Sequence, residues 1–215
     1  MRKLILFDFD GVLVKSNHCH VRNIRNAFSN ADVPLNASDE EITHHFGKHY
    51  KVIVPKLLEE DYRTPEIERR IGEKVKEGFE DDRFSDCFEE IEGISEFLLD
   101  LKKRNHVLAI ASGNSHHVLE KWVSRLGLLK YFSLLIGADD VENGKPFPDM
   151  ILLASRHFNI PAEKIVYVGD TKNDVLMAKN AGCECAVVLT GVLKRKDAEE
   201  LGVDMIAEDV TKLDL

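Results

Sequence analysis

The 215 residues carry 29 Lys and Arg against 38 Asp and Glu, a net charge of −9, and are 44% hydrophobic and 31% charged. At the usual ~150 residues per domain this is one domain with an insertion or two small ones, and a chain this apolar is not a disordered one. The acidic balance argues against nucleic acid or an anionic membrane surface as a partner, since both select a basic face, but leaves room for a local pocket for a small anion.

The longest apolar runs, such as 107–111, are about five residues, whereas a membrane span needs ~20. Arg2 and Lys3 open the chain, but the apolar run behind them stops at Asp8, so neither a membrane segment nor an export segment is expected. Cys19, Cys87, Cys183 and Cys185 are too scattered to be a disulfide scaffold, and free thiols and a cytoplasmic location are expected.

In chain order, residues 4–9 are apolar until Asp8, the pattern of a strand buried on both faces of a parallel sheet. Residues 15–87 contain no convincing strand. Ser38 with Glu41 forms a capping box ahead of Ile42, and Thr64-Pro65 starts a helix. Ile67, Ile71, Val75 and Phe79 then recur at steps of four, a helical stripe. Strands are expected again at 107–111, 133–136, 165–168 and 186–189, with helices at 93–104, 115–126, 148–158 and 172–181. This alternation predicts an α/β fold, a Rossmann-like parallel sheet flanked by helices, with an all-helical insertion after its first strand. The expected division is residues 1–14 plus 88–215 as the α/β core and 15–87 as a helical cap domain.

Asp8-Phe9-Asp10-Gly11 ends the first strand. Alternation aims both carboxylates to one side, where they repel unless a cation or a shared proton intervenes. A metal-bridged Asp can attack phosphorus, and an Asp of raised pKa can protonate a leaving group. The bland alternative is a polar strand end that caps the next helix. Ser112-Gly113-Asn114 follows the strand at 107–111, where a hydroxyl, a glycine and an amide make either an anion cradle or an ordinary helix cap. Lys145 stands in Gly144-Lys145-Pro146-Phe147-Pro148-Asp149, a stiff frame that fixes its stem toward a phosphate or a carboxylate cluster. Asp170 and Asp174 lie one helical turn apart after the strand at 165–168, an oxygen donor set suited to Mg²⁺. All of these fall at carboxyl ends of expected parallel strands, where open α/β sheets bind ligands.

This set, in this order, resembles the haloacid dehalogenase-like hydrolase superfamily, in its branch of phosphoglycolate-phosphatase-like and β-phosphoglucomutase-like members. Residues 178–182 and Gly191 look like the stretches that follow the last motif there, and the helical segment 15–87 looks like that branch's cap. The resemblance implies a sheet order that puts the first and fourth strands side by side. It implies Asp8 as nucleophile through an aspartyl-phosphate, and Asp10 as general acid and then base. It also implies Mg²⁺ held by Asp8, the Asp10 carbonyl and Asp170, with Asp174 in or near its surroundings. Ser112, Gly113, Asn114 and Lys145 would hold the phosphoryl oxygens. Asp10 also argues against a dehalogenase, since those members lack that acid. The expected activity is a Mg²⁺-dependent phosphatase of a small phosphorylated metabolite, acting as a monomer or homodimer. The alternatives are a phosphomutase of the β-phosphoglucomutase type and a non-catalytic phosphate-binding module.

Two stretches depart from that branch's pattern. Val14-Lys15-Ser16 puts a cation where an acidic residue is usual, and Phe46-Gly47-Lys48-His49-Tyr50-Lys51 has basic residues out of the mutase register. Lys48 or His49 is the expected cap contact to the far end of the substrate. His45 and His49 are four apart, and His18 and His20 flank Cys19, but with no acid or cysteine pair at zinc spacing no transition-metal site is expected.

Overall fold

The computed structural model describes residues 3–215, so Arg2 lies outside it. β1 (Leu4–Phe7) leads through a tight turn to β2 (Val14–Lys15), and four helices follow: α1 (Asn17–Asn30), α2 (Asp39–Thr43), α3 (Tyr50–Leu57) and α4 (Pro65–Glu80). β3 (Glu89–Glu90) then returns antiparallel to β2, with Val14 opposite Glu90. Strands and helices alternate from there: α5 (Ile94–Lys103), β4 (Val107–Ala111), α6 (His116–Arg125), β5 (Leu134–Ile136), α7 (Asp149–Phe158) and β6 (Ile165–Gly169). The chain closes with α8 (Lys172–Ala181), β7 (Glu184–Val188), α9 (Arg195–Glu200) and β8 (Met205–Ala207).

The main sheet is parallel, in the order β5-β4-β1-β6-β7-β8, with Leu4 of β1 opposite both Val107 and Ile165. β1 is central because every one of its side chains can be buried, each worth about 1.5–3 kcal/mol. Its residues alternate between two cores. Ile5 and Phe7 join Leu108, Ile110, Val166 and Val168 under α5 and α6, while Leu4 and Leu6 join Val107, Ala109, Ile165 and Tyr167 under α7 and α8. The first and fourth strands of the expected order are therefore neighbours.

The helical segment is built as its sequence signals. Ser38 and Glu41 make a reciprocal capping box, and Thr64 caps α4 with Pro65 at its first position. Ile71, Val75 and Phe79 are the buried stripe of α4, which packs on α1. The two helices approach closely because Gly78 has no side chain. A Cβ there would lie 1.8 Å from Asn23 Oδ1, and the Asn23 amide donates to the Val75 carbonyl at 3.0 Å.

Three features differ from expectation. Residues 15–87 begin in a strand, because Lys15 pairs with Glu89 in a two-residue ribbon too short to show a period. α9 and β8 extend the sheet beyond the expected fifth strand, and β8 is only three residues long. Cys19 and Cys87 form a disulfide, leaving Cys183 and Cys185 free. Their separation of 68 residues hid the pair, which the β2–β3 ribbon brings together by folding the two ends of the helical segment against each other. No described helix is long and apolar enough to cross a membrane.

Candidate active site

The loops after β1, β4 and β6 leave the same edge of the sheet, and the frame carrying Lys145 comes from the loop after β5. Asp8 begins the first loop with its amide on the Val168 carbonyl (2.8 Å) and its carboxylate accepting from the Phe9 amide (2.7 Å). Lys145, its side chain wholly buried, places Nζ 2.8 Å from Asp8 Oδ2 and 2.8 Å from Asp174 Oδ1. Burial pushes the Asp8 carboxyl up to about 7, against the pull of Lys145 and with a further push from Asp174. Burial would likewise lower Lys145, but the two carboxylates reverse this and hold its ammonium more firmly than in water.

Asp10 has a different environment. Its carboxylate accepts from Ser16 Oγ (2.5 Å), His20 Nε2 (2.7 Å) and Asn114 Nδ2 (2.5 Å). Burial alone would raise its pKa, yet these donors, His20 foremost, hold it below the usual carboxylate value. Ser16 is the cap residue of α1 but makes no side-chain cap, so its hydroxyl is free for Asp10. The His20 ring is walled by Phe46, Phe79, Phe84 and Trp122, with centroids 5.3–5.9 Å away.

Asp170 is buried, and its Oδ1 has no hydrogen-bond partner while Oδ2 accepts from the Val192 amide (3.0 Å). Burial, then Asp174 and Asp8, push its pKa well up. Two glycines make room for it: a Cβ on Gly191 would fall 1.8 Å from Asp170 Oδ2, and one on Gly11 2.5 Å from it. An unpartnered carboxylate oxygen among three mutually repelling acids is the donor set a hard divalent cation satisfies. Asp8, Asp170 and Asp174 each offer an oxygen within 4.8 Å of the others. Asp174 is the most heavily engaged of them. It accepts from the Asp170 and Thr171 amides, Thr171 Oγ1 and Tyr167 OH, besides Lys145.

A cavity of about 410 Å³ opens over these groups. Asp8, Asp10, Asp170, Gly113 and Asn114 line it from the sheet edge, and Lys48, His49, Lys51 and Lys76 from the helical segment. Ser112 and Lys145 lie buried behind this wall, and Ser112 Oγ accepts from both the amide nitrogen (3.2 Å) and the side chain (3.1 Å) of Asn114. His49 caps α3, accepting from the Lys51 amide, and its ring tilts over Tyr50 at 4.2 Å. Burial, then Lys51, lowers its pKa, and burial, then Lys56, lowers that of Lys48. Lys15 is exposed. Ser16, His20, Tyr167, Thr171 and Gly191 went unassigned as site residues in the sequence. Only the seating of α1 on the sheet edge makes His20 and Ser16 partners of Asp10, although both lie within ten residues of it. Among the described residues, the one other group of metal-capable side chains is His18, Cys19 and Cys87, whose sulfurs are joined to each other.

The chain is similar to known proteins. A phosphoglycolate phosphatase of Photorhabdus laumondii is 28% identical over 197 residues, covering 88% of this chain and 81% of that protein. A pyrophosphatase of Oceanobacillus iheyensis is 27% identical over 211 residues, covering 97% and 93%. The crystal structure of a hydrolase from Pseudomonas syringae has the same fold, with a TM-score of 0.84 over 98% of this chain and 95% of that one at 24% identity. The family model described as haloacid dehalogenase-like hydrolase matches residues 5–188. With its acids following β1 and β6 at one edge of a six-stranded parallel sheet and that match spanning most of its length, the chain belongs to the haloacid dehalogenase-like hydrolase family.

Proposed function

We propose that the protein is a phosphatase that hydrolyses a small phosphate monoester through an aspartyl-phosphate on Asp8. The observation that carries this reading is the contrast between two acids on one cavity. Asp8 is paired only to a lysine and an amide, while Asp10 is held by three donors. Similarity to a phosphoglycolate phosphatase and to a pyrophosphatase supports phosphate chemistry on small substrates.

In this reading an Asp8 oxygen attacks phosphorus as the ester P–O bond breaks, and Asp10 gives its proton to the leaving oxygen. Asp10 is ionised in the free site; the arriving phosphate dianion raises its proton affinity by like-charge repulsion, and Asp10 takes from bulk solvent, as the substrate binds, the proton that it then donates. In the second half Asp10 takes a proton from water, whose oxygen attacks phosphorus, and Asp8 and inorganic phosphate are released. Lys145 offsets the charge of Asp8 and keeps its oxygens aimed. Mg²⁺ is the cation we assign to Asp8, Asp170 and the Asp10 carbonyl, and when bound it screens the repulsion between carboxylate and phosphate. Asp174 supports the ion's site through Lys145 and the loop amides. Gly113 and Asn114 receive the phosphoryl group, with Ser112 fixing Asn114 from behind. Residues 15–87 act as a cap over the core formed by 1–14 and 88–215, and Lys48 and His49 meet the far end of the substrate.

The test is release of inorganic phosphate from a panel including 2-phosphoglycolate, pyrophosphate and hexose phosphates, with Mg²⁺ and with EDTA. Release that needs Mg²⁺ and vanishes in Asp8→Asn is expected. Isomerised sugar phosphate without free phosphate would overturn the hydrolase in favour of a mutase, and full turnover by Asp8→Asn would overturn the nucleophile.

A further inference from the structure

We propose that Asn173 is a positioning residue whose side-chain amide docks the Phe46–Lys48 turn onto the sheet edge and so presents Lys48 to the substrate. The proposal rests on the phosphatase reading for what Lys48 meets, but the docking itself is independent of it.

Asn173 lies in the first turn of α8, between Asp170 and Asp174. Its Nδ2 donates to the Phe46 carbonyl at 2.9 Å, joining residues 127 apart in sequence. The turn it holds is wedged on both sides. Gly47 has φ +83°, and a Cβ there would fall 2.6 Å from Thr171 Oγ1 and 3.3 Å from Asn173 Cβ. On the other side, a Cβ on Gly113 would lie 3.2 Å from the Gly47 carbonyl oxygen. The turn thus bridges the loop carrying Asp170 and the loop expected to receive phosphate, with Lys48 and His49 facing the same cavity.

The Asn173 side chain has no other task in this helix. Thr171 and Asp174 already satisfy the start of α8 with a reciprocal capping box. Its chemistry also suits the place. A neutral amide grips a carbonyl without adding charge beside three buried acids, where a lysine would compete for Asp170 and an aspartate would repel the carbonyl. Other contacts between the segments lie elsewhere: Ser16 and His20 of α1 reach Asp10 at the start of the segment, not the Phe46–Lys48 turn. Lys194 and Glu40 pair at 3.3 Å with both side chains mostly exposed, which fixes little. Lys121 and Arg125 hold the far end of α4 and the turn after it, away from the Phe46–Lys48 turn.

The test compares full-length protein with Asn173→Ala and with Asn173→Leu, which keeps the volume but removes the donor. One hydrogen bond lost predicts that KM for the best ester of the panel rises roughly 3- to 10-fold with kcat little changed. Acetyl phosphate, whose leaving group is too small to reach Lys48, should keep its kcat/KM within roughly two-fold. Limited trypsin digestion should cut after Lys48 faster in both variants at unchanged Tm. This last readout needs no turnover, so if the wild type releases no phosphate the phosphatase reading fails while docking is still decided. Equal cleavage rates overturn the docking. A fall in kcat on both substrates with KM unchanged overturns the presentation of Lys48 and assigns Asn173 to the acid cluster.

Discussion

Lys145 Nζ stands 2.8 Å from Asp174 Oδ1 and the same distance from Asp8 Oδ2, so one buried ammonium serves two carboxylates. Removing it leaves two buried like charges without a counter-ion. Lys145→Met should cost about 3–5 kcal/mol of stability, the scale for breaking a buried ion pair. Asp8→Asn should cost less, because Asp174 still pairs the lysine and Asp8 itself meets only that lysine and the Phe9 amide. Urea denaturation of the three proteins measures the difference, and a loss for Lys145→Met below that of Asp8→Asn would contradict the arrangement.

Asp170 yields the opposite sign without metal. Its Oδ1 has no partner and its neighbours are acids, so Asp170→Asn should leave the metal-free protein as stable as the wild type or more so. The wild type alone should gain stability from Mg²⁺, by about 2.7 kcal/mol at a hundred times Kd. Thermal melts with EDTA and with Mg²⁺ read both halves. An equal rise in Tm in the variant would place the ion elsewhere.

Gly78 and Asn23 should show a reversal of sign. Gly78→Ala forces a methyl onto Asn23, an overpacking cost of about 1–3 kcal/mol less about 1 kcal/mol of helix propensity. In an Asn23→Ala background the clash is gone, and the same substitution should become neutral or stabilising. A double-mutant cycle by thermal denaturation measures the coupling.

His116 provides a pH signature away from the acid cluster. Its Nδ1 lies 2.6 Å from Asp140 Oδ2, and that hydrogen bond raises its pKa above the usual value of about 6.5. A group raised on folding stabilises fully below its unfolded pKa, and the contribution is lost as pH rises through the folded one. The stability gap between wild type and His116→Gln should therefore be present at pH 6 and shrink by pH 9. A gap that widens with pH would refute the pairing.

The Cys19–Cys87 bridge closes a loop of 68 residues, which in the chain-entropy account is worth up to about 4 kcal/mol. Reduction should lower the urea midpoint, and Cys19→Ser should make the protein insensitive to reductant. Thiol titration of the unfolded, unreduced chain should find the two free cysteines, Cys183 and Cys185. Four reactive thiols would show the bridge absent.

What the sequence disclosed depended on range. β1 and β6 were legible because buried parallel strands are apolar throughout, and Asp8 and Asp170 because loops at strand ends carry chemistry. Lys145 was legible as a fixed cation aimed at a phosphate or a carboxylate cluster, but not that Asp8 and Asp174 are the two acids it meets. The partners of Asp10 were not legible, since Ser16, His20 and Asn114 come from a helix start and a distant loop that only packing assembles. The ribbon pairing Lys15 with Glu89 and the strand at Met205 are too short to carry a period, and the disulfide joins cysteines whose spacing means nothing by itself.

The two-residue ribbon of β2 and β3 has one further consequence. Because Val14 and Lys15 are hydrogen-bonded to Glu90 and Glu89, the helical segment leaves and re-enters the fold at a single point. Its length and internal arrangement do not propagate into the register of β1 against β4 and β6. On that arrangement helices α2–α4 could be lengthened, shortened or exchanged for a differently shaped roof while α1 keeps Ser16 and His20 on Asp10, so that choice of substrate could diverge without disturbing the chemistry.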